Sequence, residues 1–348
     1  MMALKRFLLI IAFAATCLVG DVVLGQTNIP SPRFRPQSNE NPDATRPFAQ
    51  PGIFDYDAQM FAPVEFTNGK EKAPNTGFFF SYERGYTSIS RGGQIGPTVT
   101  NTVPVGSDWH WGNRFELGYM TEEDRGWDLV YQKTAGQYFG FGTDQLVATP
   151  LVVDTDFSQV EVNRVFRQAL SNGDYFEPYA GLKYISISDN TLEDTTLTVN
   201  GAAAANRFKQ NATNDSVGFQ AGGRYNARRG RYRITYDGAI ITAYNQQRLD
   251  VGDFATIGGT LGTNEQFFKS QSFMPAVDGQ IEIAYSLSRD LALRTSLQAT
   301  YIWDGVNRTN NQTTLVNPNS VFGTGNDIGI FDTDFVAVGF TFGIEWKK

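Results

Sequence analysis

The chain has 348 residues, a formal net charge of −7, 35 glycines, 27 phenylalanines, one cysteine and one histidine. The acidic balance disfavours nucleic acid as a partner, because phosphate backbones are held by basic surfaces. One cysteine and one histidine exclude a disulfide framework and a Cys/His metal centre, and no metal or other cofactor is expected.

Residues 1–25 read as a secretory signal peptide. Lys5 and Arg6 precede an apolar run from Phe7 to Val19, and Val23 and Gly25 stand where a cut before Gln26 needs small residues. The run is shorter than the roughly 20 apolar residues of a spanning helix; an uncleaved anchor is the alternative. Cys17 lies inside this segment, and its large neighbour Thr16 speaks against lipidation. Residues 26–75 carry Pro30, Pro32, Pro36, Pro42, Pro47, Pro51, Pro63 and Pro74. Prolines at this density prevent regular pairing, so the segment is expected to be a periplasmic arm serving as plug, tether or plain linker. No later stretch is long and apolar enough for a spanning helix. The polar mean hydropathy of −0.30 still allows a membrane barrel, in which only alternate residues face lipid.

From Gly77 onward, period-two segments follow one another. Phe78, Phe80 and Tyr82 open the first. Trp109, Trp111, Phe115, Leu117 and Tyr119 alternate with His110, Gly112, Arg114, Glu116 and Gly118. Trp127, Leu129 and Tyr131 alternate with Asp128, Val130 and Gln132. Val160, Val162 and Phe166 alternate with Gln159, Glu161 and Asn163, although Arg164 interrupts the apolar face. Leu182 and Tyr184 flank Lys183, and Val217, Phe219 and Ala221 oppose Gly218, Gln220 and Arg224. Two more strands set Tyr232, Ile234 and Tyr236 against Arg233 and Asp237, and Ile281 and Ile283 against Gln280 and Glu282. Another sets Leu291, Leu293 and Leu297 against Arg294. In the last, Val336, Val338, Phe340, Phe342, Ile344 and Trp346 oppose Ala337, Gly339, Thr341, Gly343 and Glu345. A bulky apolar face set against a small, polar one suits a strand between lipid and a crowded lumen.

Short polar turns at Thr121–Arg125, Ala169–Asp174, Asn226–Gly230 and Ser288–Asp290 alternate with long links at Arg91–Asp108, Ala135–Asp156, Asp189–Asn214, Asn245–Pro275 and Asp304–Thr333. Short turns at one end and long loops at the other are the rhythm of an outer-membrane barrel. Residues 76–348 are therefore expected to form a closed, antiparallel, up-and-down transmembrane β-barrel of about ten strands, with twelve as the alternative. Trp109, Trp111 and Trp303 at the loop side and Trp127 and Trp346 at the turn side would form its aromatic girdles. An exported soluble β-sandwich acting as a binding module is the competing architecture.

Two stretches, Val160–Asp189 with Glu161-Val-Asn163 and Gly181-Leu-Lys-Tyr184, and Ser216–Ile234 with Gly218-Phe-Gln-Ala-Gly-Gly-Arg224 before a basic turn, resemble the planctomycete outer-membrane family called beta-barrel porin type 7. The similarity runs from about Gly77 to the end. It implies an outer-membrane location and a porin-like role, and it offers no catalytic residues to carry over. Outer-membrane lipid and the barrel-insertion machinery are the partners such a protein would have.

The expected lumen face carries Arg114, Glu116, Asp128, Glu161, Lys183, Arg224, Arg233, Asp237, Glu282 and Arg294. A barrel of about ten strands is narrow and filled by side chains, whereas wide channels need about sixteen. An interlocked ionic network is favoured over a pore for small solutes. No enzyme is expected. The one catalytic alternative is an omptin-like rim protease using His110 and Asp108 with the pairs Asp154/Asp156 and Asp332/Asp334 to activate water; their order along the chain is not that of omptins.

Overall fold

A computed structural model describes residues 76–90, 108–144, 147–170, 174–199, 202–257, 260–288, 290–309 and 332–347. The signal segment, the Pro-rich arm and the links over 91–107 and 310–331 lie outside the described residues. Eleven segments follow in chain order: β1 (Gly77–Ile89), β2 (Asp108–Met120), β3 (Arg125–Asp144), β4 (Val147–Phe166), β5 (Gln168–Ala169), β6 (Tyr175–Val199), β7 (Ala202–Arg229), β8 (Tyr232–Ile257), β9 (Thr260–Ser286), β10 (Leu291–Asn307) and β11 (Asp332–Lys347). Every pairing is antiparallel. β1 pairs with β2 and with β11, and β4 pairs with β3 and β6. β5 continues β4 beyond a break at Arg167 and pairs with β6. Ten strands thus close on themselves, and no edge is left unpaired.

The register fixes the barrel's geometry. Following paired residues once around it leads from Gly77 through Met120, Gly126, Val165, Tyr179, Gly222, Ala239, Asp278, Thr300 and Ala337 back to Ile89 on the starting strand. A stagger of twelve residues over ten strands tilts the strands by roughly 40° from the axis.

Local chemistry closes the tight turns. Asp124 takes a left-handed φ of 60°, which Asp tolerates better than most residues, and Thr121 Oγ1 donates to Arg125 O at 2.8 Å. The turn between β7 and β8 is tighter than the expected Asn226–Gly230. Only Gly230 and Arg231 lie between the paired residues Arg229 and Tyr232, and Gly230, at φ 62°, is the first of the two, where a type II′ hairpin favours glycine.

At the opposite end three of the expected long links prove to be strand. Gly136–Asp144 pair with Val147–Thr155, Asn190–Val199 with Ala202–Asn211, and Gln246–Ile257 with Thr260–Gln271. β6 to β9 are 25, 28, 26 and 27 residues long, against about 9–11 for a spanning strand. The barrel wall therefore rises far beyond any lipid layer.

The polarity of the two faces reverses partway along these strands, and this is why their outer halves do not read as membrane strand. In β6, Leu182 and Tyr184 face outward while Lys183 is buried; a few residues on, Ser186 and Ser188 face outward while Ile185 and Ile187 are buried. β4 passes from outward Val160 and Val162 to outward Asp156 and Ser158, with Phe157 turned in. β8 passes from outward Ile240 and Tyr244 to outward Gln246 and Arg248, with Leu249 and Val251 turned in. Near the turns the wall presents apolar groups outward and hides its polar ones; farther up it presents polar groups and hides its apolar ones, the pattern expected of a wall that passes from lipid to water. On β11 the outward apolar face runs from Val336 to Trp346, about 25 Å along the axis at this tilt.

Candidate functional site

The turn-end half of the lumen is crossed by ion pairs. The structure places Arg114, Glu116, Asp128, Glu161, Lys183, Arg224, Arg233, Asp237, Glu282 and Arg294 inside the barrel. Arg294 of β10 reaches Glu116 of β2 at 3.1 Å, past the two intervening strands, and bonds Glu282 through Nε at 2.9 Å. Arg233 of β8 bridges Glu282 at 3.0 Å and Glu345 at 2.6 Å. Arg224 of β7 contacts Asp128 of β3 at 2.6 Å and Asp237 of β8 at 2.7 Å, and Tyr179 donates its hydroxyl to Asp237 at 2.7 Å. Lys183 joins Glu161 at 2.7 Å and also pairs with Asp278.

Sequence reasoning missed several members. Glu83, wholly buried, binds Arg114 at 3.1 Å and Arg294 at 3.3 Å. Its signal was present, since Ser81 and Glu83 alternate with Phe80 and Tyr82. Asp278 and Glu345 stood on the polar faces of their strands without being singled out. Arg167 and Glu177, 2.8 Å apart, sit where β4 breaks, and no periodicity marks them. Two cavities among the described residues, of about 40 and 50 Å³, lie between these side chains. Arg114, Arg224, Asp237 and Gln280 line both, and each cavity has room for only a few waters.

Above the ion pairs an apolar cluster occupies the lumen, where a polar interior was expected. Ile89, Phe157, Ile185, Ile187, Ile241, Met274, Ile302 and Phe335, from seven strands, pack into one buried cluster, and the Phe157 and Phe335 rings lie 5.3 Å apart. Over it folds the end of β10. Its register slips between Ile302 and Val306, and Gly305 takes φ 82° where a Cβ would come within 2.5 Å of Phe273 O. The inturned segment is tied from several sides. Asn245 and Gln247 donate to Gly305 O at 2.5 and 3.0 Å, Asn214 Nδ2 donates to Asn307 O at 2.7 Å, and Arg308 pairs with Asp189. The end of β10 was expected to be loop; its link residues reach the lumen because the bulge turns them inward.

The rim residues proposed for catalysis do not share one face. His110 is on the inner side, over Gly136. Asp154 and Asp156 alternate to the outer side of β4, while Thr155 between them is buried and donates to Asp189 at 2.8 Å. Asp332 accepts from Ser272 at 3.1 Å and from Gln247, which places it with the inturned end of β10.

The aromatics form two levels on the outer face. Trp127, paired with Tyr119, and Trp346, paired with Phe80 and Leu291, lie near the turns; Trp109, Trp111 and Trp303 lie near the other end of their strands. All but the half-buried Trp346 are exposed, and Tyr86, Trp109 and Phe340 stack at 5.2 and 5.9 Å.

No family model matches the chain, and no curated protein does. Solved structures do. The outer membrane protease OmpT from Escherichia coli aligns at 8% identity and a TM-score of 0.44, over 81% of this chain and 100% of that one. The translocator domain of the autotransporter NalP from Neisseria meningitidis aligns at 12% identity and 0.36, over 79% and 90%. The neisserial surface protein NspA aligns at 11% and 0.26, over 78% and 98%.

At the turn end, outside the apolar band, burial pushes the Asp174 carboxyl up, but hydrogen bonds from the Arg229 guanidinium, the Tyr225 hydroxyl and the Arg228 amide prevail and hold its pKa down at about 2. The Tyr225 and Arg229 contacts are 2.7 and 2.8 Å long. They tie the start of β6 to the end of β7.

Proposed function

We propose that this protein is an integral outer-membrane barrel with a sealed lumen, a structural element that carries a tall strand wall above the membrane rather than a conduit. The observation that carries the reading is the double closure of the interior: ion pairs from Arg294 and Arg224 cross the lower lumen, and the apolar cluster around Phe157 and Ile187 fills it above. Hydrated ions entering that cluster would lose their water with no replacement. The apolar exterior, about 25 Å tall and flanked by aromatics, supports residence in a bilayer. The short turns would face the periplasm and the projecting hairpins the outside. The reading assigns no catalysis to the chain, and the porin type 7 resemblance enters it through barrel motifs alone.

Reconstitution in a planar bilayer tests this. The sealed barrel gives no conductance steps above background in 1 M KCl. Reproducible steps from the purified wild-type protein would establish small-solute passage instead, the porin-like reading.

A further inference from the structure

One row of residues contradicts the apolar exterior. Arg84 on β1 pairs with Asn113 on β2, which pairs with Lys133 on β3, which pairs with Ser158 on β4. All four face outward. On its other side Arg84 pairs with Phe342, near the middle of the outward face of β11. The strand tilt lifts a paired row by about 3 Å per strand, so the row climbs from mid-belt at Arg84 toward the hairpin end at Ser158. Aromatic side chains hold it from both sides. The Arg84 guanidinium lies 5.5 Å from the Trp111 ring and donates to Asn113 Oδ1 at 2.8 Å; the Tyr82 hydroxyl donates to the same oxygen at 3.0 Å.

A cation facing hydrocarbon at this depth is costly, and two in one row are more so. Among the described residues neither Arg84 nor Lys133 forms an ion pair. The row itself holds two positive charges and no carboxylate, and the outward Asp156, one outward position above Ser158 on β4, forms no ion pair with either cation among the described residues. A second copy docked about a two-fold axis running through the row would set these cations against their own kind. An anion answers both charges, and the anions within reach of a bilayer face are lipid phosphates, which guanidinium and ammonium groups bind well.

We propose that Arg84, Asn113 and Lys133 form a binding site for the phosphate of an anionic membrane lipid, drawn below the general headgroup plane onto the polar row on the outer wall of β1 to β3. The inference rests on the outer-membrane reading above. Trp111 orients Arg84, Tyr82 holds the Asn113 amide that Arg84 also contacts, Lys133 supplies the second charge, and the row climbs through Ser158 toward the headgroup region.

Native mass spectrometry of the full chain, extracted in mild detergent and titrated with lipid A, phosphatidylglycerol, phosphatidylcholine or inorganic phosphate, tests it. Wild type should retain one of the two anionic lipids at least ten-fold better than phosphatidylcholine. Arg84→Gln/Lys133→Gln should lose that preference while keeping its heat-modifiable gel shift. If the double variant fails to fold, Lys133→Gln alone should weaken retention about three-fold. Equal retention by variant and wild type overturns the site. Displacement of the lipid by millimolar inorganic phosphate, or a two-copy mass that vanishes in the variant, overturns the lipid as occupant. A chain that stays soluble without detergent would instead overturn the membrane reading itself.

Discussion

Replacing Lys183 with methionine removes the one cation between Glu161 and Asp278 while nearly keeping its volume. The Lys183 side chain is fully buried, and the partner side chains are 13% and 20% exposed. Breaking a buried pair by removing one member leaves uncompensated charge and costs about 3–5 kcal/mol. Here two carboxylates are stranded, which raises the cost, but both retain some water, and Glu161 still accepts from Gln220 at 2.9 Å, which lowers it. The expected loss is about 3 kcal/mol. Urea titration of the barrel refolded into vesicles, read by the heat-modifiable gel band and tryptophan emission, measures it. The triple variant Lys183→Met/Glu161→Gln/Asp278→Asn removes every charge of the cluster and should regain most of that loss, since replacing a whole buried ionic group is often near neutral. A single variant within about 1 kcal/mol of wild type, or a triple variant no better than the single one, would refute the electrostatic account of the lumen.

Phe157→Ala should cost about 3–5 kcal/mol by opening a cavity in the apolar layer, yet leave the barrel non-conducting in a planar bilayer, because the ion pairs below still cross the lumen. Gly343→Leu should fold poorly or not at all: a Cβ there would stand 2.1 Å from Tyr82 O and 2.6 Å from Glu83 Cγ, displacing the carboxylate that holds Arg114 and Arg294, and yield of the heat-modifiable form reports it. Asp174 should titrate near 2 by carboxyl NMR. Because its folded pKa lies below the roughly 3.9 of an unfolded Asp, its contribution to the β6–β7 junction is complete above pH 4 and fades as pH falls toward 2. Protection of the Arg228 amide, its exchange relative to the intrinsic rate at each pH, should fall over that interval, and Asp174→Asn should remove the dependence; pH-independent protection in wild type would count against the turn contacts.

The sequence by itself determined the barrel and the sidedness of its turn-end half. Strict alternation in β2, β3 and β11 separates Leu117, Leu129 and Phe342 from Glu116, Asp128 and Thr341, and period two leaves no choice about which set shares a face. It also located the turns, where Asp124 and Gly230 meet backbone demands that are local in sequence, although the second turn is only Gly230 and Arg231 rather than Asn226–Gly230. The outer half was illegible for a physical reason. Ser186, Ile187 and Ser188 also alternate, but with opposite polarity, because there the outward face is polar and the inward one apolar, and polarity alone reads as loop once membrane strands are sought. Which charges meet was decided only by closure. Arg294 and Glu116 lie 178 positions apart, and nothing near either names the other; the twelve-residue stagger brings them together. The same stagger turns Arg84, Asn113 and Lys133, unremarkable on three separate strands, into one climbing polar row.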